Sequence, residues 1–300
     1  MLAAPVILGA SGLVGGAYLQ CLRARGVPVR GTYRTQPCPG LDPLDLARES
    51  ARYLDSVSPS LVLLTSALTN VDYCESHPEE TRERNVRQLE TIIRWCARSG
   101  VPLVFFSTDY LFDGADGPYA EEAEPHPLNV YGRSKLEGER LVAGIPVSAV
   151  LRITNVFDIG FDRKNFLIRC LDHLRSGTPL VVPADQLATP TYATWLADQT
   201  VTLIERGLLC TAGAPRVLHL GCDEMVSRVE FATRVAGLLG ADASIVRGRP
   251  TAELNQAAPR PLRGGLRNDR LKQLLGAGGF RFEDALLDLA PRLRAAFAAI

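Results

Sequence analysis

Apolar runs and helical stretches take turns along the first half of the chain. "APVILGA", "PSLVLLTSA", "VPLVFFSTDY" and "VSAVLRIT" are strand-like and almost unbroken in apolar character, with "VPVRGTYR" a more polar fifth member. Between them lie "GLVGGAYLQCLRARG", "LARESARYLDSVS", "EETRERNVRQLETIIRWCARSG", which ends on a glycine stop, and "NVYGRSKLEGERLVAG". A strand that is apolar on both faces must be covered on both faces. Helices between such strands supply that cover and force parallel connections. The expected fold is therefore α/β, a doubly wound parallel sheet. At 300 residues, 46% of them hydrophobic, the chain can fill a large core.

The alternation loosens near residue 155. "NFLIRCLDHLRSG", "ATWLADQTVTLIERG" and "SRVEFATRVAGLLG" read as helices, with "PLVV" and "PRVLHLG" as short strands between them. Residues 1–155 are expected to form the sheet domain, with a later segment of about 190–222 returning to it. Residues 156–300 would then form mainly a smaller α/β lobe that binds substrate.

Directly after the first strand, "GASGLVG" places Gly9, Gly12 and Gly15 in a GxxGxxG spacing. Glycines there permit a tight turn and close approach of the backbone to a pyrophosphate. The helix start offers free amides and a positive dipole end. Ser11, Leu13 and Val14 belong to the same turn, which reads as the phosphate site of a Rossmann-type dinucleotide fold. Ser66 and Ala67, at the end of "PSLVLLTSA", join them as candidates for cofactor contact. The second strand ends in "GTYRT", with Arg34 and no acid. A base at that point suits the 2′-phosphate of NADP(H), while NAD(H) stays open; a surface arginine would look the same. Asp42 could accept a hydrogen bond from an adenine amino group, and Asp45 reads as a helix N-cap.

Acids and bases balance, 33 against 33, so no global basic surface invites nucleic acid. Seven cysteines without CxxC spacing, no secretory pattern and no run long enough to span a membrane predict a cytoplasmic protein with reduced thiols. His77, His126, His173 and His219 are scattered, and no metal site is expected.

Ser107, Thr108 and Asp109 close the apolar run of "VFFSTDYLFDG", at the strand ends where ligands of such sheets sit. Further on, Tyr131 and Lys135 stand four apart at a helix start, on one face. Lysine occurs only at positions 135, 164 and 272, so its place here stands out. A cation near a phenol favours the ionised form and tunes it for acid–base work. Alone, the pair reads first as a core-edge tyrosine and a solvated lysine.

Taken together, GxxGxxG, a strand-end Ser/Thr and YxxxK resemble the extended short-chain dehydrogenase/reductases. "TNVDYCESHPEE", "STDYLFDG", "PLNVYGRSKLEGE", "DQLATPTYA" and "APRPLRGGL" resemble, in order, the dTDP-4-dehydrorhamnose reductase family, over about residues 5 to 275. The resemblance implies an NAD(P)H-dependent reductase of a nucleotide-linked 4-keto-deoxysugar. Tyr131 would give the proton, Lys135 would hold the nicotinamide ribose and lower the phenol's pKa, and Thr108 would bind the substrate oxygen. Asp109 could line the substrate pocket or serve as a capping acid; Gln186, Thr189 and Thr191 could line the sugar pocket or form a turn between the lobes; and Arg260 could pair with a substrate diphosphate, whose oxygens suit a guanidinium fork, or be a surface arginine. Asn155 falls where the family usually carries tryptophan, which leaves the exact sugar open. Ala188 replaces a family glycine. A nucleotide-sugar epimerase and an NADP-binding regulatory subunit like that of methionine adenosyltransferase are the competing readings. A homodimer is open.

Overall fold

A computed structural model describes residues 2–160, 164–276 and 278–298. Elements follow one another as β1 (Pro5–Leu8), α1 (Leu13–Ala24), β2 (Arg30–Tyr33), β3 (Asp42–Pro43), α2 (Leu46–Val57), β4 (Leu61–Leu64), α3 (Val71–Ser76), α4 (Pro78–Arg82), α5 (Gln88–Ser99), β5 (Leu103–Thr108), α6 (Val130–Val142) and β6 (Ser148–Ile153). Then come α7 (Phe166–Ser176), β7 (Leu180–Pro183), β8 (Leu187–Ala188), α8 (Ala193–Glu205), β9 (Val217–His219), β10 (Val226–Ser227), α9 (Arg228–Leu239), β11 (Val246–Arg249), α10 (Asp269–Leu275) and α11 (Phe282–Ala298).

Seven strands form one sheet in the order β3-β2-β1-β4-β5-β6-β9, and every pairing in it is parallel. This is the doubly wound α/β fold the apolar runs predict. Because strand side chains alternate, each strand feeds two cores. Ile7, Leu63, Val104 and Leu151 face α1 and α8, meeting Tyr18, Leu22, Leu196 and Ile204. Val6, Val62, Phe105 and Val150 face the opposite way, onto Leu54, Ile92, Trp95 and Val142.

A further apolar cluster lies among α7, α9 and α11. Phe157, Phe231 and Phe282 meet there with ring centroids 4.8–5.4 Å apart. Two short sheets flank it, parallel β7–β11 and antiparallel β8–β10.

Several elements differ from the sequence reading, among them α3, α10 and the short strands β3, β8, β10 and β11, which it did not name. The long helix expected over "EETRERNVRQLETIIRWCARSG" contains a π turn at Glu83–Arg87 between α4 and α5. Buried Asn85 lies in that turn and clasps the Leu68 backbone, accepting from its amide at 2.8 Å and donating to its carbonyl at 3.0 Å. Such turns re-aim one side chain at a time. The last helix, α11, was not anticipated, and it carries Pro291 within its length.

Candidate active site

The glycine turn is built as the spacing predicts, with a different task at each position. Gly9 has φ +101°, and a Cβ there would lie 2.9 Å from the Ser66 nitrogen. A Cβ on Gly15 would come within 2.3 Å of the Gly9 carbonyl oxygen. Both glycines therefore serve backbone packing. Gly12 differs: a Cβ there would meet only the Gly9 oxygen, at 3.6 Å. It caps α1 without a side-chain partner and lines a cleft of ≈ 460 Å³ together with Leu13, Val14 and Gly15. The protein itself does not demand glycine at this point, while an incoming pyrophosphate would. Open amides in the first turn of α1 complete a cradle that fits a dinucleotide.

Across the cleft stand the ends of β5 and β6, with Thr108 in register with Ile153. Thr108 caps the following 3₁₀ turn, accepting from the Tyr110 amide at 3.2 Å, and donates to the Asp109 carboxylate at 3.3 Å. Asp109 is buried and also accepts from the Gly265 amide at 3.4 Å. Burial raises its carboxyl above the ordinary range. Ser107 lines the same wall, its buried hydroxyl unpaired among the described residues.

Tyr131 and Lys135 reach the cleft from α6. Asn129 starts that helix: its Oδ1 accepts from the Gly132 amide at 2.8 Å, and its Nδ2 donates to the Pro259 carbonyl at 2.9 Å. Gly132 lets the helix touch the 3₁₀ turn, since a Cβ would sit 2.2 Å from the Tyr110 carbonyl oxygen. The Tyr131 ring meets the Tyr110 ring edge-on at 5.8 Å. Lys135 is buried, its Nζ 4.0 Å from the centre of the Phe105 ring.

The electrostatics correct one expectation. Without cofactor the phenol of Tyr131 is raised, not lowered. Burial pushes that phenol above its ordinary value, Asp109 adds to the rise, and a hydrogen bond with Thr108 acts against it. Burial also pulls Lys135 down, to about 7, with Glu139 opposing. Desolvation is the largest cause of both shifts.

Thr108, Asp109, Tyr131, Lys135, Ala67, Asn155 and the α1 turn converge on the one cleft. Ser66 lines a small void beside it. Ser11 and Arg34 are exposed and do not line the cleft. Neither does Asp42, whose carboxylate accepts from the Tyr53 hydroxyl at 2.7 Å. Gln186 donates to Thr251 and Gln256 in the smaller lobe. Thr191 is fully buried, and its hydroxyl joins the Leu220 carbonyl to the Thr154 amide. Arg260 pairs with Asp72 at 2.8 Å behind Tyr110, with its Nη1 buried and unpaired among the described residues. Tyr110, Asn165, Phe166 and Arg228 line the cleft without having been anticipated. The last two lie in stretches that sequence periodicity reads simply as helix. Among the described residues no group of three or more His, Cys, Asp or Glu could hold a metal ion, and no helix is long and apolar enough to cross a membrane.

A doubly wound sheet, a glycine turn under its first helix and a Tyr–Lys pair one turn apart beside a strand-end threonine define an extended short-chain dehydrogenase/reductase. More narrowly, the chain belongs to the family of the RmlD substrate binding domain, whose model matches residues 5–294. It is 32% identical to the probable low-salt glycan biosynthesis reductase Agl14 of Haloferax volcanii, over 94% of this chain and 96% of that one. It is 34% identical to a dTDP-4-dehydrorhamnose reductase of Sinorhizobium fredii, over 77% and 80%. The crystal structure of a dTDP-4-dehydrorhamnose reductase from Clostridium acetobutylicum superposes with a TM-score of 0.85 at 26% identity, over 97% and 99%.

Proposed function

We propose that this chain reduces the 4-keto group of a nucleotide-linked deoxysugar, as a dTDP-4-dehydrorhamnose reductase does, with NADPH as the preferred reductant and NADH as the alternative. The observation that carries the reading is the meeting of Thr108, Tyr131 and Lys135 with the α1 glycine turn in one cleft. The bound nicotinamide supplies the hydride. The chain's own residues handle the proton and the geometry. Tyr131 keeps its proton at neutral pH, because burial holds the phenol up. A reduction needs that form, since the phenol must hand a proton to the carbonyl oxygen as the carbon is reduced. Thr108 orients the same oxygen by hydrogen bonding. Lys135 holds the ribose hydroxyls and faces the phenolate left after transfer. Asp109 stiffens the turn that carries Tyr110 and contributes to the substrate wall.

A division of labour belongs to the same proposal. Residues 1–155 with a returning stretch of about 190–222 hold the dinucleotide, and 156–300 mainly hold the sugar. The separate apolar cluster around Phe157, Phe231 and Phe282 supports this. We further read the protein as cytoplasmic; its free cysteines suit a reducing compartment.

The test is NADPH oxidation with dTDP-, GDP- and UDP-linked 4-keto sugars, for the wild type and Tyr131→Phe. The variant should lose about 10²-fold or more in kcat while binding NADPH as before. Turnover without net NADPH consumption would point to an epimerase. Unchanged function in the variant would leave a cofactor-binding partner subunit.

A further inference from the structure

Arg228 opens α9 and lines the cleft from the smaller lobe. Three neighbours fix it. A capping box holds the backbone: Ser227 Oγ accepts from the Glu230 amide at 3.1 Å, and the Ser227 amide donates to the Glu230 carboxylate at 2.9 Å. The guanidinium lies over the Phe166 ring, 4.6 Å from its centre. Its Nη2 donates to Oδ1 of Asn155, itself held at φ +44°. Asn155 stands two residues past Ile153, the register partner of Thr108. The pinned edge of the guanidinium is thus anchored close to the chain segment that carries Thr108.

The remaining donors have no such partner. Among the described residues Asn155 is the sole hydrogen-bond acceptor of Arg228, and no carboxylate pairs with it. None of its nitrogens is both sealed from solvent and unpaired. Burial pulls the guanidinium below its ordinary value, so the site bears a cost for keeping it there. A half-buried cation, flattened and aimed, that feels the Asp109 charge but has no carboxylate within ion-pair distance among the described residues is arranged for an acceptor that arrives from outside. A guanidinium fork suits planar pairs of oxygens, as in phosphate or carboxylate.

We propose that Arg228 is a substrate-binding residue whose fork, levelled on Phe166 and pinned by Asn155, receives an oxyanion of the nucleotide sugar. This rests on the reductase reading above. Two parts of such a molecule offer that chemistry, the diphosphate and an acidic substituent on the sugar.

Calorimetric titration of the NADP-loaded protein with dTDP, dTDP-glucose, UDP-glucose and UDP-glucuronate tests it, for the wild type, Arg228→Met, Arg228→Lys and Phe166→Leu. If the fork holds the diphosphate, Arg228→Met weakens all four probes by on the order of 10- to 100-fold. If it holds a sugar acid, only the preference for UDP-glucuronate over UDP-glucose disappears. In either case Arg228→Lys, which keeps the charge and loses the fork, falls between wild type and Met, and NADPH affinity is unchanged. Phe166→Leu removes the platform alone and gives a smaller loss of the same kind, which serves if Arg228→Met does not fold. In turnover the sugar KM rises while kcat holds, an effect a purely structural role would not confine to KM. Equal binding of every probe by wild type, Arg228→Met and Phe166→Leu overturns the proposal. A wild type that takes up NADPH but none of the four probes sinks the nucleotide-sugar reading itself.

Discussion

Lys135 is the residue whose charge the fold leaves most finely balanced. Its ammonium is buried against Phe105, and burial brings its pKa from 10.5 to about 7. Near neutrality it therefore changes between charged and neutral. The charged form, which attracts an anionic dinucleotide, dominates below about pH 7 and is lost as pH rises through it. NADPH should accordingly bind more weakly at pH 8.5 than at pH 6, and Lys135→Met should lack that part of the pH dependence. Fluorescence titration at both pH values reads the difference. Equal slopes in the two proteins would mean that the ammonium does not meet the cofactor. The Tyr–x–x–x–Lys spacing announces where these groups sit, because helical geometry alone brings them together. It does not announce their pKa values. Those depend on Asp109, Phe105 and Thr108, which other elements deliver.

At the scale of elements, α6 carries both Tyr131 and Lys135, so its seating sets their position. The helix touches the Asp109–Leu111 turn through Gly132, whose missing Cβ would overlap the Tyr110 carbonyl. Gly132→Ala should force α6 away. A loss of about 1–3 kcal/mol in stability is expected from such overpacking, seen in urea denaturation, with a fall in kcat beyond what the unfolded fraction explains. Retained kcat and stability would show that the helix has room to shift. The main strands were legible because double-sided burial writes unbroken apolar runs. The α6 cap was not read from the sequence, since Asn129 is one polar residue in a loop. The π turn at Asn85 was not legible at all: its cause is the Leu68 backbone, 17 residues earlier in the chain. α11 was not read from the sequence either, and its helix accommodates Pro291.

For the molecule as a whole, a buried polar link ties α6 to the sheet. Glu139 holds Arg152 with two bonds at 2.8 and 3.0 Å, and Arg152 lies 3.3 Å from His219 on β9. Burial and the Arg152 charge together bring the His219 pKa down from 6.5 to about 3. The folded protein thus keeps this histidine neutral, whereas the unfolded chain takes up a proton below about pH 6.5. Stability is full above that value and falls as pH drops toward 3, by up to about 1.4 kcal/mol per unit from this group. Urea midpoints at pH 7.5 and 5 should differ in the wild type and differ less in His219→Gln. An equal acid loss in both would place the sensitivity elsewhere. The cleft as a whole was half legible. Its sheet side follows motifs with fixed spacing, whereas Arg228 and Phe166 belong to ordinary helical runs and meet Asn155 only through the packing of the smaller lobe. Gln186 and Thr191 show the converse, since suggestive residues there are spent on contacts within the protein. A crystal structure with NADPH bound tests the placement of the reductant most directly. The pyrophosphate should lie on the Gly12 turn, the nicotinamide ribose about 3 Å from Lys135 Nζ and the Tyr131 hydroxyl beside the hydride-bearing carbon. A nicotinamide lying outside this cleft, with Tyr131 turned from it, would rule out Tyr131 as the proton donor.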